Sequence, residues 1–226
     1  MKTHDIGELT IYAPELNELW LDEGRTVLNK QEKLWKSAFG DEYHQRNKQT
    51  NRNDFWYEVL AGRFSNITSV LELGAGQGDN LEAIGNYMMG KRILVGVDVN
   101  ESACEAMALR PNLTPVKGAF LELQMHGKYD LVLTRGFLIH QPDSALEATL
   151  RGIYNLSERY ICFAEYYAPK RRGQLYHGRG EALWADDFAG KLMSLYPDLV
   201  LRKYGFKYWQ EGGDDITYFL MEKSAQ

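Results

Sequence analysis

Three glycines at every second position, Gly74, Gly76 and Gly78, follow the acidic residue Glu72 at the end of the apolar run Val70-Leu71. Glycine lets a chain turn sharply and bring its amides close to a ligand that a Cβ would push away. The next segment, Asp79-Asn80-Leu81-Glu82-Ala83-Ile84, starts a helix whose N-terminus, with Asn80, faces the same point. Spacing decides which ligand fits. A dinucleotide fold has G-x-G-x-x-G and rests a pyrophosphate on the helix N-terminus. Here the glycines run G-x-G-x-G, and the Glu72 carboxylate would repel a pyrophosphate but could hold an ammonium group directly or through water. S-adenosylmethionine has an amino-acid tail and no phosphate, so the acid fits it and counts against NAD. A second buried strand, within Lys91–Asp98, ends in Asp98, whose carboxylate can accept both ribose hydroxyls.

In an open parallel sheet, ligands bind beyond the carboxyl ends of the strands, so the residues after each strand are the candidates. Ala119 could approach the adenine edge through its backbone and Phe120 could pack on the ring, or Phe120 is ordinary core. Thr134 and Arg135 lie where the methionine moiety should end, and Arg135 could pair with its carboxylate or with an acidic substrate. His140 precedes a Pro-containing turn and suits proton transfer near neutral pH, or else bonds a backbone carbonyl. Glu165 could act as base or hold a nucleophile, and Tyr166 and Tyr167 could line an acceptor site; half-buried packing is the other role for the tyrosines. Residues 170–187 read as a long loop, basic and then aromatic, with Tyr176, His177 and Trp184 available to close over an acceptor.

The elements that must position these groups alternate from Val70 onward. Strands are expected at 69–73, 92–97, 114–117, 129–134 and 159–166, and helices near 79–89, 101–109 and 144–156. That alternation gives a mostly parallel sheet covered on both faces. Residues 199–208 and 216–221, joined by Gly212-Gly213-Asp214-Asp215, read as a hairpin that adds an antiparallel strand. The order resembles the class I methyltransferases, Rossmann-like α/β folds with such a terminal hairpin. Residues 1–63 read as a separate segment before the main domain, 64–226. Residues 1–30 suggest a loose cap or docking extension. Beyond them, Leu34, Trp35, Ala38 and Phe39 recur at helical spacing until Gly40-Asp41 breaks the run, and Asn53 or Asp54 could cap another helix.

At 226 residues the chain suits one domain with a full core. A formal net charge of −5 disfavours binding along a phosphate backbone, and Lys170-Arg171-Arg172 is too short to reverse it. Cys104 and Cys162 sit in apolar contexts that suit buried thiols, and no metal site is expected. No signal pattern or apolar run near the ~18 residues of a membrane span is evident, so the expected location is the cytoplasm.

Longer stretches resemble a known group. Trp35, Phe39-Gly40-Asp41-Glu42-Tyr43-His44-Gln45-Arg46-Asn47, the glycine segment, Leu138-Ile139-His140, Ala164-Glu165-Tyr166-Tyr167, Asp187-Phe188-Ala189-Gly190, Tyr204-Gly205-Phe206 and Asp214-Asp215-Ile216-Thr217 resemble the pseudaminic acid biosynthesis-associated methyltransferases. The resemblance spans roughly residues 34–223. It implies a seven-stranded methyltransferase using S-adenosylmethionine, yielding S-adenosylhomocysteine, in the metabolism of nonulosonic or other modified sugars. It also implies that Tyr43, Arg46 and Asn47 fold over the donor, with Arg46 available for its carboxylate, and that a helical N-terminal segment caps the donor site. Two departures bear on the substrate. His177 stands where a basic residue is expected after the lid tyrosine, and the segment before Asp187 lacks the usual lysine or arginine. The competing readings are methylation of RNA bases or protein side chains, which the charge disfavours, and a non-catalytic donor-binding subunit. A nicotinamide oxidoreductase fits least. A small-molecule acceptor is the expected partner, with the oligomeric state open and a homodimer included.

Overall fold

Two short strands open the chain, β1 (Thr3–Ile6) and β2 (Leu9–Tyr12), followed by helices α1 (Lys30–Trp35), α2 (Ala38–Arg46) and α3 (Asn53–Leu60). The alternating region then runs β3 (Ser69–Leu73), α4 (Asp79–Gly85), β4 (Ile93–Asp98), α5 (Glu101–Ala108), β5 (Leu113–Lys117), β6 (Gln124–Met125), β7 (Tyr129–Arg135), α6 (Asp143–Leu156) and β8 (Ser157–Glu165). Last come β9 (Arg172–Tyr176), β10 (Arg179–Ala185), α7 (Phe188–Leu195), β11 (Leu199–Lys207) and β12 (Ile216–Lys223). The structure, a computed structural model, describes residues 3–6, 9–12, 28–46, 52–176, 179–208 and 215–224.

Seven of the strands form one sheet in the order β11-β12-β8-β7-β3-β4-β5. The pairs β3–β4, β3–β7, β4–β5 and β7–β8 are parallel, and β12 pairs antiparallel with both β8 and β11. Among these strands, β12 therefore runs against the other six. Successive side chains point to opposite faces, and the strands obey this with apolar residues on both. Leu71, Val95, Val132, Ile161 and Phe163 join α6 and α7 in one core layer, through Leu150, Ile153, Phe188 and Leu192. Val70, Leu94, Leu131, Leu133 and Cys162 join α3 and α4 in the other, through Trp56, Leu60, Leu81 and Ile84. The chain leaves β3 toward β4 on one side, and β7 lies on the other. The carboxyl end of β3 is thus the switch point where a crevice must open.

Several elements differ from the sequence-based expectation. The helical run of 30–46 breaks at Lys36-Ser37 rather than at Gly40-Asp41, which lie inside α2. Ser37 ends one helix by donating to the Leu34 carbonyl and starts the next by accepting from the Phe39 amide. Gly40 answers packing: a Cβ there would lie 2.0 Å from the Trp35 carbonyl oxygen and 2.8 Å from Asn100 Nδ2. Arg52 holds the cap position of α3 without a side-chain capping bond, and Asn53 and Asp54 lie in its first turn. Helix α4 stops at Gly85 rather than near 89, and β8 begins at Ser157 rather than 159. Residues 170–187 are not an irregular loop, because β9 and β10 pair antiparallel within them. Helix α7 follows, capped by Asp187 accepting from the Gly190 amide. Strands β1 and β2 pair with each other, and Ile11 of β2 pairs with Met125 of β6. Residues 209–214, which hold most of the expected turn of the last hairpin, lie outside the described residues.

At the amino end of the switch point, Asp130 locks β7 to β3. Its Oδ2 accepts from the amide and hydroxyl of Thr68 and of Ser69 at 2.7–3.1 Å. Partial burial opposes the charge, but these bonds outweigh it and hold the acid below its ordinary value of 3.8. Its stabilisation is therefore fully present above pH 3.8 and lost as pH falls through the lower folded value. Asp130→Ala should lower unfolding free energy at pH 7 by about 1–2 kcal/mol, discounted for partial solvation. Denaturant titration checks this, and the difference from the unaltered chain should shrink toward pH 2–3, on the order of the acid's own titration range.

Candidate active site

A cavity of about 480 Å³ opens at the carboxyl ends of β3, β4, β5, β7 and β8, a size usual for small-molecule sites. Gly74, Gly76 and Gly78 all have positive φ, at 69°, 54° and 84°. The reason for two of them is the fold itself. A Cβ at Gly74 would lie 2.7 Å from Phe137 Cδ2, and one at Gly78 would lie 2.6 Å from Leu113 Cδ1. The Gly76 amide donates to Asp98 Oδ2 at 2.8 Å, and the Asn100 amide donates to Asp98 Oδ1 at 2.8 Å. Asp98 thus stands on the cavity wall with both oxygens oriented by backbone. Asn100 also caps α5 through Ala103, and its Nδ2 reaches the Trp35 carbonyl at 3.1 Å and Asp41 Oδ1 at 2.9 Å. Ala119 and Phe120 line the same end of the cavity.

Glu72 is placed differently from its expected direct role. It is fully buried behind the wall, with Oε1 accepting from Asn80 Nδ2 at 2.6 Å and Oε2 lacking a partner. Trp56 Nε1 donates to Asn80 Oδ1 at 3.0 Å, and it is Asn80 that lines the cavity. Burial pushes the Glu72 acid up to about 8, against the Asn80 hydrogen bond and the Arg135 charge. Arg135 lines the cavity with its guanidinium carbon 5.5 Å from the centre of the Phe55 ring.

His140 and Tyr166 also line the cavity, whereas Glu165 and Thr134 do not. Glu165 is buried, and its two oxygens accept from the Phe137 and Ile139 amides at 3.1 and 3.3 Å. It braces the 3-10 turn Leu138–His140 from behind rather than facing an acceptor. Burial raises its acid to about 7, against those amides and the Thr134 hydroxyl beside it. A strand-end position brings a residue near the crevice without saying on which side it points, and both Thr134 and Glu165 point into the protein. Tyr167, 43% exposed, packs beside Phe219 at 5.8 Å, away from the cavity.

The roof comes from outside the sheet. Trp35 of α1 meets the Tyr43 ring of α2 at 5.1 Å and the His140 ring at 4.8 Å, both edge to face, and all three line the cavity. Leu183 of β10 lines it as well. Arg171 ties that hairpin to the His140 loop. Its Nε is 2.5 Å from Asp143 Oδ1, Nη1 is 3.1 Å from Asp186 Oδ2, and Nη2 donates to the Gln141 carbonyl at 2.7 Å. Arg46 lies on α2 and Tyr176 on β9, while Asn47 and His177 lie outside the described residues.

Residues 70–159 match the family model described as a methyltransferase domain. The match covers 90 of the 226 residues of the chain. Its fold resembles 1,6-didemethyltoxoflavin-N1-methyltransferase of Burkholderia thailandensis, solved with S-adenosylhomocysteine, at TM-score 0.67 and 16% identity over 100% of both chains. It also resembles magnesium protoporphyrin IX methyltransferase of Synechocystis PCC 6803, at TM-score 0.64 and 16% identity over 85% of this chain and 98% of that one. The plantazolicin methyltransferase, solved with S-adenosylhomocysteine, follows at TM-score 0.60 and 14% identity over 86% and 94%. No curated protein matches the chain in sequence.

Sequence reasoning missed several residues of the cavity and of its support. Glu32 and Gln31 escaped notice, although Asn29 and Glu32 form a capping box whose N-x-x-E spacing marks the start of α1. Arg52 and Gln141 had no signal. In the sequence Arg171 stands out only as part of a basic run, since its acidic partners are 15 and 28 residues away.

Glu72 and Glu165 set a pH dependence. Both acids hold their protons more tightly folded than at the ordinary value of 4.5, so their contribution favours the folded state at low pH. It declines as pH rises from about 5 to about 8. The thermal midpoint of the ligand-free protein should fall across that range. The double variant Glu72→Gln, Glu165→Gln should show a visibly flatter profile in the same melts.

Proposed function

We propose that this protein transfers the methyl group of S-adenosylmethionine to a hydroxyl or amine of a small, polar, sugar-derived acceptor. The observation that carries the reading is Asp98, whose two oxygens are each held by one backbone amide at the cavity wall, where a carboxylate suits ribose hydroxyls. Asn80 and Arg135 stand where the amino-acid end of the donor would lie, and Ala119 and Phe120 where adenine would. Asp79 and Glu82 in the first turn of α4 disfavour a pyrophosphate there.

Bound there, S-adenosylmethionine supplies an electrophilic methyl group on a sulfonium. The protein's part is orientation, which can contribute about 7 kcal/mol or more to lowering the barrier. His140 is the base of choice, because it reaches the cavity and Glu165 does not. It takes the proton from the acceptor hydroxyl or amine as the new bond to carbon forms, worth a factor of about 100 to 10,000. Tyr166 and Gln141 offer polar contacts beside it. Arg46 and Asn47 are assigned to the donor, and Tyr176 and His177 to the acceptor, by the family resemblance and the lid reading. That resemblance also supports an acceptor from nonulosonic or other modified-sugar metabolism. The relatives above are named for a porphyrin, a toxoflavin precursor and plantazolicin, so the fold alone leaves acceptor choice to the roof.

Calorimetry with S-adenosylhomocysteine should show one site per chain, undisturbed by NADH, and Asp98→Ala should weaken it by about 100-fold. Absence of any binding would sink the reading. With a methylated product from a modified-sugar panel in hand, His140→Ala should lower kcat by about 100-fold or more while donor affinity stays within a few-fold.

A further inference from the structure

Gln141 follows His140 in the chain, and both of its backbone groups are engaged. The Gln141 backbone N–H donates to the Leu138 carbonyl at 3.0 Å, and its carbonyl accepts from Arg171 Nη2 at 2.7 Å. Pro142 comes next and favours the extended backbone that Gln141 adopts, while the Pro142 carbonyl starts α6 by accepting from the Ala145 and Leu146 amides. The Gln141 side chain, by contrast, makes no hydrogen bond among the described residues. The residue is 6% exposed and lines the cavity, and its amide atoms are not sealed from the surface. A buried amide that is neither bonded nor sealed opens onto the space it lines, and leaving it unbonded there is costly.

Arg171 keeps the root of that side chain rigid. Asp186, 2% exposed, holds Arg171 Nη1 at 3.1 Å and Lys191 Nζ at 2.9 Å, and its backbone N–H donates to the Tyr166 carbonyl at 3.2 Å. The Arg171 guanidinium carbon also lies 4.9 Å from the centre of the Trp184 ring. A planar guanidinium engaged by an acid, a ring and a carbonyl has little freedom left. Gln141 therefore projects from a fixed point.

Resting on the acceptor reading above, we propose that Gln141 selects acceptors that carry two adjacent hydroxyl groups. A glutamine amide presents an accepting oxygen and a donating NH2 side by side in one plane. One hydroxyl donates to Oε1 while its neighbour accepts from Nε2. A lone hydroxyl, or two hydroxyls far apart, completes only half of this pattern. The other half of the amide then stays unbonded in a buried site, and that loss is what discriminates. Arg171 is a positioning residue for the same selection, acting through the Gln141 carbonyl.

The test is NMR titration of the complex with S-adenosylhomocysteine, following the side-chain amide signals of Gln141. The probes are cyclohexanol, the cis-cyclohexanediol with hydroxyls on neighbouring carbons, and the cyclohexanediol with hydroxyls on opposite carbons. The adjacent diol should shift those signals and bind about tenfold more tightly than the other two probes. Gln141→Leu should abolish the preference while S-adenosylhomocysteine affinity stays within a few-fold. Arg171→Met should weaken the preference with Gln141 still present and donor affinity again unchanged, which a purely structural role would not produce. Equal binding of the three probes overturns the proposal, as does a Gln141 amide that none of them shifts or a preference that survives Gln141→Leu. Should the variants fail to fold, the comparison of probes on the unaltered chain decides. Failure of S-adenosylhomocysteine to bind counts against the donor assignment instead, and the same titration of the ligand-free chain then decides for or against Gln141.

Discussion

The Asp98 carboxylate is the point at which three separate parts of the chain meet. One oxygen holds the Gly76 amide in the glycine loop, and the other holds the Asn100 amide at the start of α5. Asn100 extends the connection to Asp41 and the Trp35 carbonyl, so the α1–α2 arm rests on the same strand end as the glycine loop. Charge-assisted bonds from backbone amides are short and directional. They place the loop against β4 without any side chain filling the crevice. The positive φ of Gly74 and Gly78 serves this arrangement, since a Cβ at either would meet Phe137 or Leu113 before any ligand arrived.

What was legible in the sequence follows from the range of the interactions involved. Buried parallel strands show as continuous apolar runs, so β3, β4, β7 and β8 could be read within one or two residues of their ends. The glycine-loop half of the cavity was legible for a related reason: Gly74 to Asp98 lies in one β-α-β unit, and its spacing carries its geometry. Long-range contacts leave no such trace. Gly40 looks like a helix breaker until Asn100, sixty residues on, explains it as a contact point. The β9–β10 hairpin looks like a loop because Arg171, not a turn motif, ties it down. Glu165 looks catalytic by type and position, yet the Phe137 and Ile139 amides that claim its oxygens come from a different strand's loop.

The cavity therefore has a floor and a roof of different origin. Strand ends build the floor, and the solved methyltransferases of similar fold share it at 16% identity or less. The roof comes from α1, α2, the β9–β10 hairpin and the turn at Leu138–His140. Acceptor discrimination requires contacts that differ between acceptors, and a floor fitted to one donor cannot supply them. The roof side sets the polar Gln31, Glu32, Tyr43 and Gln141 beside the apolar Trp35, Ile139 and Leu183.

Trp35 joins the two halves. Its carbonyl accepts from Asn100, whose amide is bound to Asp98, and its ring edge meets His140 at 4.8 Å. The group that would receive the donor's ribose and the group that would take the acceptor's proton are thereby two short steps apart. Glu165 fixes the other side of His140 by holding the amides of its turn. A side chain held from two directions keeps one orientation, and the proton transfer proposed for His140 would demand that geometry before any match of acidity. The buried carboxyls thus do their work one layer behind the cavity, where they set the positions of the groups that face it.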